Sequence, residues 1–154
     1  MAILYILCGP SGCGKSTYVQ DGNISNSFYI SRDEIRFAIV KEDEDYFSHE
    51  KEVFRTFVQG IVSCLKNGYN VIADATHLNE FSRRKLTQAI DMSITEYEIV
   101  YVVFNVDVET CVARNANRTG RANVPENIIR NMCRDFRRPT LDEDERAINI
   151  IEVN

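Results

Sequence analysis

Between positions 9 and 16 the chain reads Gly9-Pro10-Ser11-Gly12-Cys13-Gly14-Lys15-Ser16, directly after the apolar run Ile3-Leu4-Tyr5-Ile6-Leu7-Cys8. Glycines at this spacing let successive backbone N–H groups turn inward around a polyphosphate. The N-terminus of a helix continued by Thr17-Tyr18-Val19 adds positive field. An ammonium at Lys15 reaches the β- and γ-phosphates of a nucleoside triphosphate, and a hydroxyl at Ser16 holds Mg²⁺. Gly9, Ser11, Gly12, Cys13, Gly14, Lys15, Ser16 and Thr17 are therefore expected around ATP. A glycine-rich turn with a surface lysine is the plainer alternative, and the apolar run ahead of the loop weighs against it.

Other residues could complete a phosphoryl-transfer site. Asp74 closes the apolar run Val71-Ile72-Ala73, where a carboxylate facing Ser16 can hold Mg²⁺ directly or through water; a turn or helix-cap aspartate is the alternative. Asp33 follows Phe28-Tyr29-Ile30. It can take a proton from an attacking hydroxyl, or simply sit as an acid in a first helical turn. Arg36, one turn on, can pair bidentately with a substrate phosphate. Arg114 and Arg118 stand four apart, as on one helix face. They can close over triphosphate and neutralise developing charge, or remain surface charges. Arg130, Arg134 and Arg137 read as a solvated helix face, His77 as a loop hydrogen-bonding residue and His49 as a surface residue at a helix start. Cys13 has the surroundings of a thiolate, although a small residue filling the loop is the simpler reading. Two histidines and no Cys-x-x-Cys pair leave a catalytic zinc site without support.

The elements that must position these groups alternate along the chain. Strands are expected at Ile3–Cys8, Phe28–Ile30, Val71–Ala73, Glu98–Asn105 and Ala147–Val153. Helices are expected from Lys15 to about Gln20, from the Ser31-x-x-Glu34 capping box onward, from about Ser48 to Asn67 with Gly68 as terminator, from Glu80 to Ile90, from an Asp107 cap to Asn117, and from Val124-Pro125-Glu126. Such alternation predicts an α/β fold: a five-stranded parallel sheet flanked by helices in three layers, with a helical lid at about 107–125. The candidate residues then fall at the carboxyl ends of strands or in helices near that edge.

Composition sets the frame. A length of 154 residues suits one domain with a full core, and 44% hydrophobic with 27% charged residues is the balance of a soluble protein. No apolar run reaches the roughly 20 residues of a membrane span, and Met1–Cys8 lacks the basic start of a signal peptide. Five scattered cysteines point to a reducing cytoplasm. The net charge of −5 hides an uneven distribution. Glu42-Asp43-Glu44-Asp45 and Asp142-Glu143-Asp144-Glu145 read as solvated acidic loops, and without those eight the acids are outnumbered by the 18 basic residues. Arg83-Arg84-Lys85 and the arginines between 114 and 138 supply an opposing face that permits a phosphate-bearing partner.

The segments Gly9-x-x-x-x-Gly14-Lys15-Ser16-Thr17, Ser31-Arg32-Asp33-Glu34-x-Arg36, Asp74-Ala75-Thr76-His77-Leu78-Asn79, Arg114-Asn115-x-x-Arg118, Val124-Pro125 and Arg137-Arg138-Pro139-Thr140-Leu141 occur in that order. Together they resemble the kinase domain of the polynucleotide 5′-hydroxyl kinases, over nearly the whole chain. The resemblance implies transfer of the γ-phosphate of ATP, with Mg²⁺, to a 5′-OH end of DNA or RNA. It implies Asp33 as general base, Lys15 and Arg118 on the transferring phosphoryl, Ser16 on the metal, Arg114 in the lid and Arg138 beside the adenine. Arg36 matches the position that engages the phosphate 3′ of the accepting nucleotide, and Arg32, Asp74 and Thr76 fall on the substrate side. In the phage enzymes an aspartate can fall one position later, where this chain has Ala75. The chain has no phosphatase domain, so 5′ phosphorylation without 3′ healing is expected. Two other readings are a P-loop kinase for a small molecule and a nucleotide-binding ATPase switch.

Overall fold

In the computed structural model, which describes residues 1–154, five segments pair into one sheet. They are β1 (Ile3–Cys8), β2 (Ser27–Ser31), β3 (Asn70–Asp74), β4 (Glu98–Phe104) and β5 (Ala147–Val153). Their spatial order is β2-β3-β1-β4-β5 and every pairing is parallel. Six α-helices connect them: α1 (Lys15–Gln20), α2 (Arg32–Ile39), α3 (Glu50–Lys66), α4 (Glu80–Asp91), α5 (Val108–Ala116) and α6 (Glu126–Asp135). Short 3₁₀ turns lie at Gly120–Ala122 and Leu141–Glu143.

Side-chain alternation divides the core into two layers. Leu4, Ile6, Val71, Ala73, Ile99 and Tyr101 pack on one face of the sheet with Phe57, Ile61 and Leu65 of α3 and Leu86 and Ile90 of α4. Leu7, Ile72, Val100, Val102 and Phe104 pack on the other with Cys111 of α5, Ile129 of α6, and Tyr18 and Val19 of α1. The result is a three-layer α/β fold of the P-loop kinase type. The strand order reverses at β1, the position at which open parallel sheets bind ligands beyond their carboxyl ends.

Local chemistry sets the boundaries. The Ser31 hydroxyl accepts the Glu34 N–H and starts α2, and the Asp107 carboxylate accepts the Thr110 N–H and starts α5. Gly68, at φ 78°, ends α3. That helix starts at Glu50, slightly later than its apolar spacing suggests. Two lid features hold the segment after α5. The buried Asn115 amide donates to Val124 O at 2.5 Å and its Oδ1 accepts the Val124 N–H at 2.9 Å. Arg121 donates to Val40 O and, at 2.8 Å, to Phe37 O, so it closes the last carbonyls of α2 and ties the lid to that helix.

Candidate active site

At the carboxyl edge of the sheet the loop after β1 wraps around the start of α1. Gly12 and Gly14 have φ of 83° and 96°, a left-handed backbone in which a side chain is strained. A Cβ on Gly12 would lie 2.7 Å from Cys111 O, so this position also admits α5 at close range. Lys15 Nζ donates to Gly9 O at 2.8 Å and Pro10 O at 2.9 Å, lying along the loop it is expected to serve. The Gly9 N–H donates to Thr76 O at 2.9 Å and joins the loop to the segment after β3. Cys13 is buried against Phe104 and Cys111, with Lys15 Nζ 3.7 Å from its sulfur, so it fills space as the simpler reading expects.

A cleft of about 590 Å³ opens from this loop. Ser11, Gly12, Lys15, Ser16, Arg32, Asp33, Arg36, Asp74, Thr76 and Arg118 all line it. Gly9, Cys13, Gly14, Thr17, Arg114 and Arg138 do not. The register Ser31↔Asp74 places the start of α2 and the end of β3 side by side.

Asp33 projects from the first turn of α2 with its carboxylate half exposed. Its Oδ1 accepts from Arg36 Nη1 at 2.5 Å and from the Tyr46 hydroxyl at 3.3 Å. Arg36 is buried, and its remaining donors meet Glu50, Nε to Oε1 at 2.7 Å and Nη2 to Oε2 at 3.1 Å. Arg32 Nη2 reaches the same carboxylate at 3.0 Å. Burial alone would raise the Glu50 pKa; the hydrogen bonds and charges of Arg36 and Arg32 outweigh it and hold the carboxyl below its ordinary range. Arg36 therefore faces the cleft with its guanidinium committed to Asp33 and Glu50.

Asp74 is 8% exposed, and its Oδ2 accepts from the Tyr29 hydroxyl. Burial raises its pKa, against the opposing charge of Lys15 and the Tyr29 hydrogen bond. The donor set here fits Mg²⁺ as a residue choice: Ser16 and Asp74 offer hard oxygen donors in one cleft, and no cluster of three His, Cys, Asp or Glu exists to build an all-protein cage. Mg²⁺ bound with a nucleotide takes few protein ligands and keeps phosphate and water oxygens.

His77 is buried at φ 42°, with Nδ1 2.7 Å from Leu7 O. A carbonyl only accepts, so Nδ1 carries the proton and the ring is neutral; burial pushes its pKa down to about 4. Stability should then respond to acid. Below the ordinary histidine pKa of 6.5 the unfolded chain takes up a proton that the folded chain refuses until about pH 4. This contribution is intact above pH 6.5 and is lost as pH falls through that window, by about 3 kcal/mol in total. Urea titrations at pH 7 and pH 4 should show His77→Asn losing less stability than the parent by about that amount; equal losses would refute the assignment.

Several charged groups stand elsewhere than their spacing suggests. Arg114 and Arg118 are not a same-face helical pair, because α5 ends at Ala116 with Asn117 as its C-cap. Arg114 Nη1 instead donates to Cys13 O at 3.0 Å and braces the phosphate loop, while Arg118 lines the cleft from the lid. Arg137 lies beyond the end of α6 and donates to the carbonyls of Arg134 and Phe136, so it does not extend the Arg130 and Arg134 face. Arg83 belongs to no basic surface: it is 2% exposed and paired with Glu143, which is likewise no solvated acid. Arg138 pairs with Asn105 and Glu152 outside the cleft. Glu50, Tyr46 and Tyr29 were missing from the expected site. Tyr29 had a signal, a polar-tipped aromatic near the end of a strand; Glu50 had none beyond being an acid in a first helical turn.

This fold, with its glycine loop at the carboxyl edge of the sheet, is of the P-loop kinase type. The profile of one domain family, described as an AAA domain, matches residues 4–139, and the chain belongs to that family. Among solved structures it is similar to a chain of the Pnkp1/Rnl/Hen1 RNA repair complex, at 25% identity and TM-score 0.73, over 87% of this chain and 43% of that one. It is similar in fold to a fungal RNA kinase, at 12% identity and TM-score 0.69, over 99% of this chain and 38% of that one. It is also similar in fold to a sugar kinase from a Janibacter species, at 14% identity and TM-score 0.68, over 99% and 86% of the two chains. The chain thus spans less than half the length of the RNA-repair chain it resembles. A comparison with curated proteins finds no match. No helix is long and apolar enough to cross a membrane.

Proposed function

We propose that the domain transfers the γ-phosphate of ATP to the 5′-hydroxyl of a polynucleotide, with Asp33 as general base. The observation that carries this reading is the pinned carboxylate of Asp33, held by Arg36 and Tyr46 in the cleft that also contains Lys15, Ser16 and Arg118. A hydrolase needs only to orient water, whereas a fixed carboxylate beside an arginine suits a hydroxyl acceptor that carries its own phosphate. Similarity to a chain of an RNA repair complex supports the same reading.

Lys15 and Arg118 supply positive charge where the phosphoryl group moves, and the N–H groups of Ser11 to Ser16 hold the polyphosphate. Arg114 braces that loop through Cys13 O. Mg²⁺, held by Ser16 and Asp74, would offset polyphosphate charge. Asp33 orients the acceptor hydroxyl and takes its proton as the new P–O bond forms and the bond from the γ-phosphorus to the departing ADP oxygen breaks, with no covalent enzyme intermediate. Arg32 and Arg36 lie on the acceptor side, and Arg36 either keeps Asp33 oriented or exchanges Glu50 for a substrate phosphate.

The fold itself carries kinases for sugars as well, so the test must vary the acceptor. Label transfer from γ-labelled ATP should proceed to 5′-OH oligonucleotides and not to free nucleosides or sugars. Transfer confined to small acceptors makes this a small-molecule kinase. ATP turnover indifferent to every acceptor makes it an ATPase switch.

A further inference from the structure

We infer that the mouth of the cleft is a stacking platform for the bases of a single-stranded acceptor, with Phe81 and Phe47 as its faces and Lys85 as a phosphate contact. This deepens the reading above and rests on it for the identity of the acceptor. Phe81 is 78% exposed and Phe47 64% exposed, yet both line the cleft. A single exposed phenyl ring is ordinary on a protein surface, but two in one cavity mark a surface that a ligand covers.

Cations stand among the aromatic rings that line the cleft, Phe54 included. Lys85 lies one turn after Phe81 on α4, so the two share a helix face. Its ammonium stands 4.9 Å from the ring centroid of Phe54, and the Arg32 guanidinium stands 5.3 Å from the same ring. Arg36 lies 5.6 Å from the Phe47 ring. Arg32 Nε is buried without a hydrogen-bond partner, an uncommon arrangement that an incoming acceptor oxygen would relieve.

Alternating flat apolar rings and cations along one groove is the chemistry that grips single-stranded nucleic acid, where bases stack on aromatics and phosphates meet lysine and arginine. A sugar can lay a C–H face on one phenyl ring, but it carries neither a base's π face nor the spaced phosphates that lysine and arginine beside the rings would meet. A duplex keeps its bases stacked inside, which leaves single-stranded ends as the fitting occupant. Phe28 and Tyr69, also exposed, do not share this character, because they line no part of the cleft.

Two readouts test the platform on the full chain. The first is KM for a 5′-OH pentanucleotide and for the same strand with abasic sites after the first nucleotide. The parent should bind the normal strand about 10-fold better than the abasic one, as expected from about one stacked base. Phe81→Ala or Phe47→Ala should shrink that ratio towards one, and Phe81→Trp should restore it. The second readout is fluorescence of 2-aminopurine at the second nucleotide, quenched by the parent and not by Phe81→Ala. Transfer with an unchanged ratio and unchanged quenching in both alanine variants would overturn the platform. Quenching that depends on Phe81 without transfer to any oligonucleotide would support the platform and overturn the kinase assignment. Neither quenching nor transfer would overturn both.

Discussion

Asp33→Asn is expected to lower phosphoryl transfer by about 10²- to 10⁴-fold while leaving ATP affinity unchanged. The substitution is nearly isosteric. Its remaining oxygen can still accept from Arg36 Nη1 and the Tyr46 hydroxyl, which reach the native carboxylate at 2.5 and 3.3 Å. Positioning is therefore largely kept, and the lost property is the ability to take a proton from the acceptor hydroxyl. Asp33 also makes no contact with the groups proposed to build the nucleotide site: Lys15 bonds the loop carbonyls of Gly9 and Pro10, and Arg114 braces the loop through Cys13 O. Single-turnover label transfer gives the rate, and displacement of a fluorescent nucleotide gives the affinity. A variant with the parent rate would remove Asp33 as the base. A variant with weakened nucleotide binding would show that its role lies in building the cleft.

The phosphate loop was legible because its chemistry is local. Backbone N–H groups, two left-handed glycines and the start of a helix are all set within eight residues, directly after the strand that presents them. The five strands were legible for a related reason: buried parallel strands read as apolar runs between helical periods. Boundaries moved by a residue or two at several ends, as at the start of α3, which begins at Glu50. Groups whose role depends on a distant partner were not legible. Glu50 carries Arg32 and Arg36 from another helix, and neither its residue type nor its spacing announces this. Arg121 looks like one more basic residue, yet it ties the lid to the end of α2 across a separation of more than eighty residues. Arg114 and Arg118 misled because a four-residue spacing implies a shared face only while the helix lasts, and α5 stops between them. The aromatic rings at the mouth of the cleft gave no periodic signal either, since Phe47, Phe54 and Phe81 come from separate segments.

Arg83→Met is expected to destabilise the domain by about 3–5 kcal/mol, because it strands a carboxylate that the fold has withdrawn from water. In Arg83-Arg84-Lys85 the first arginine looks like its neighbours, but only its surroundings are closed. Arg83 Nε and Nη2 donate to Glu143 at 2.9 and 2.7 Å, and the two side chains are 2% and 9% exposed. Arg83 Nη1 also donates to His77 O at 2.9 Å and Arg137 O at 3.0 Å. One guanidinium thus joins α4, the loop after β3, the segment after α6 and the Leu141–Glu143 turn. Removing it leaves Glu143 unpaired and two carbonyls without their donor, and each unsatisfied carbonyl costs about 1–3 kcal/mol of desolvation. The double variant Arg83→Met with Glu143→Met should be less destabilised than Arg83→Met alone, because no buried charge remains. It should not return to the parent, because His77 O and Arg137 O still lack a partner. Urea denaturation of the parent, both single variants and the double variant closes the cycle and isolates the coupling. A single-variant loss below about 1 kcal/mol, or a double variant no better than Arg83→Met, would show that water reaches Glu143 and that the pair is a surface contact. Because the same guanidinium holds the segment whose Thr76 carbonyl accepts the Gly9 N–H, the destabilised variant should also bind ATP more weakly at temperatures where it is still folded.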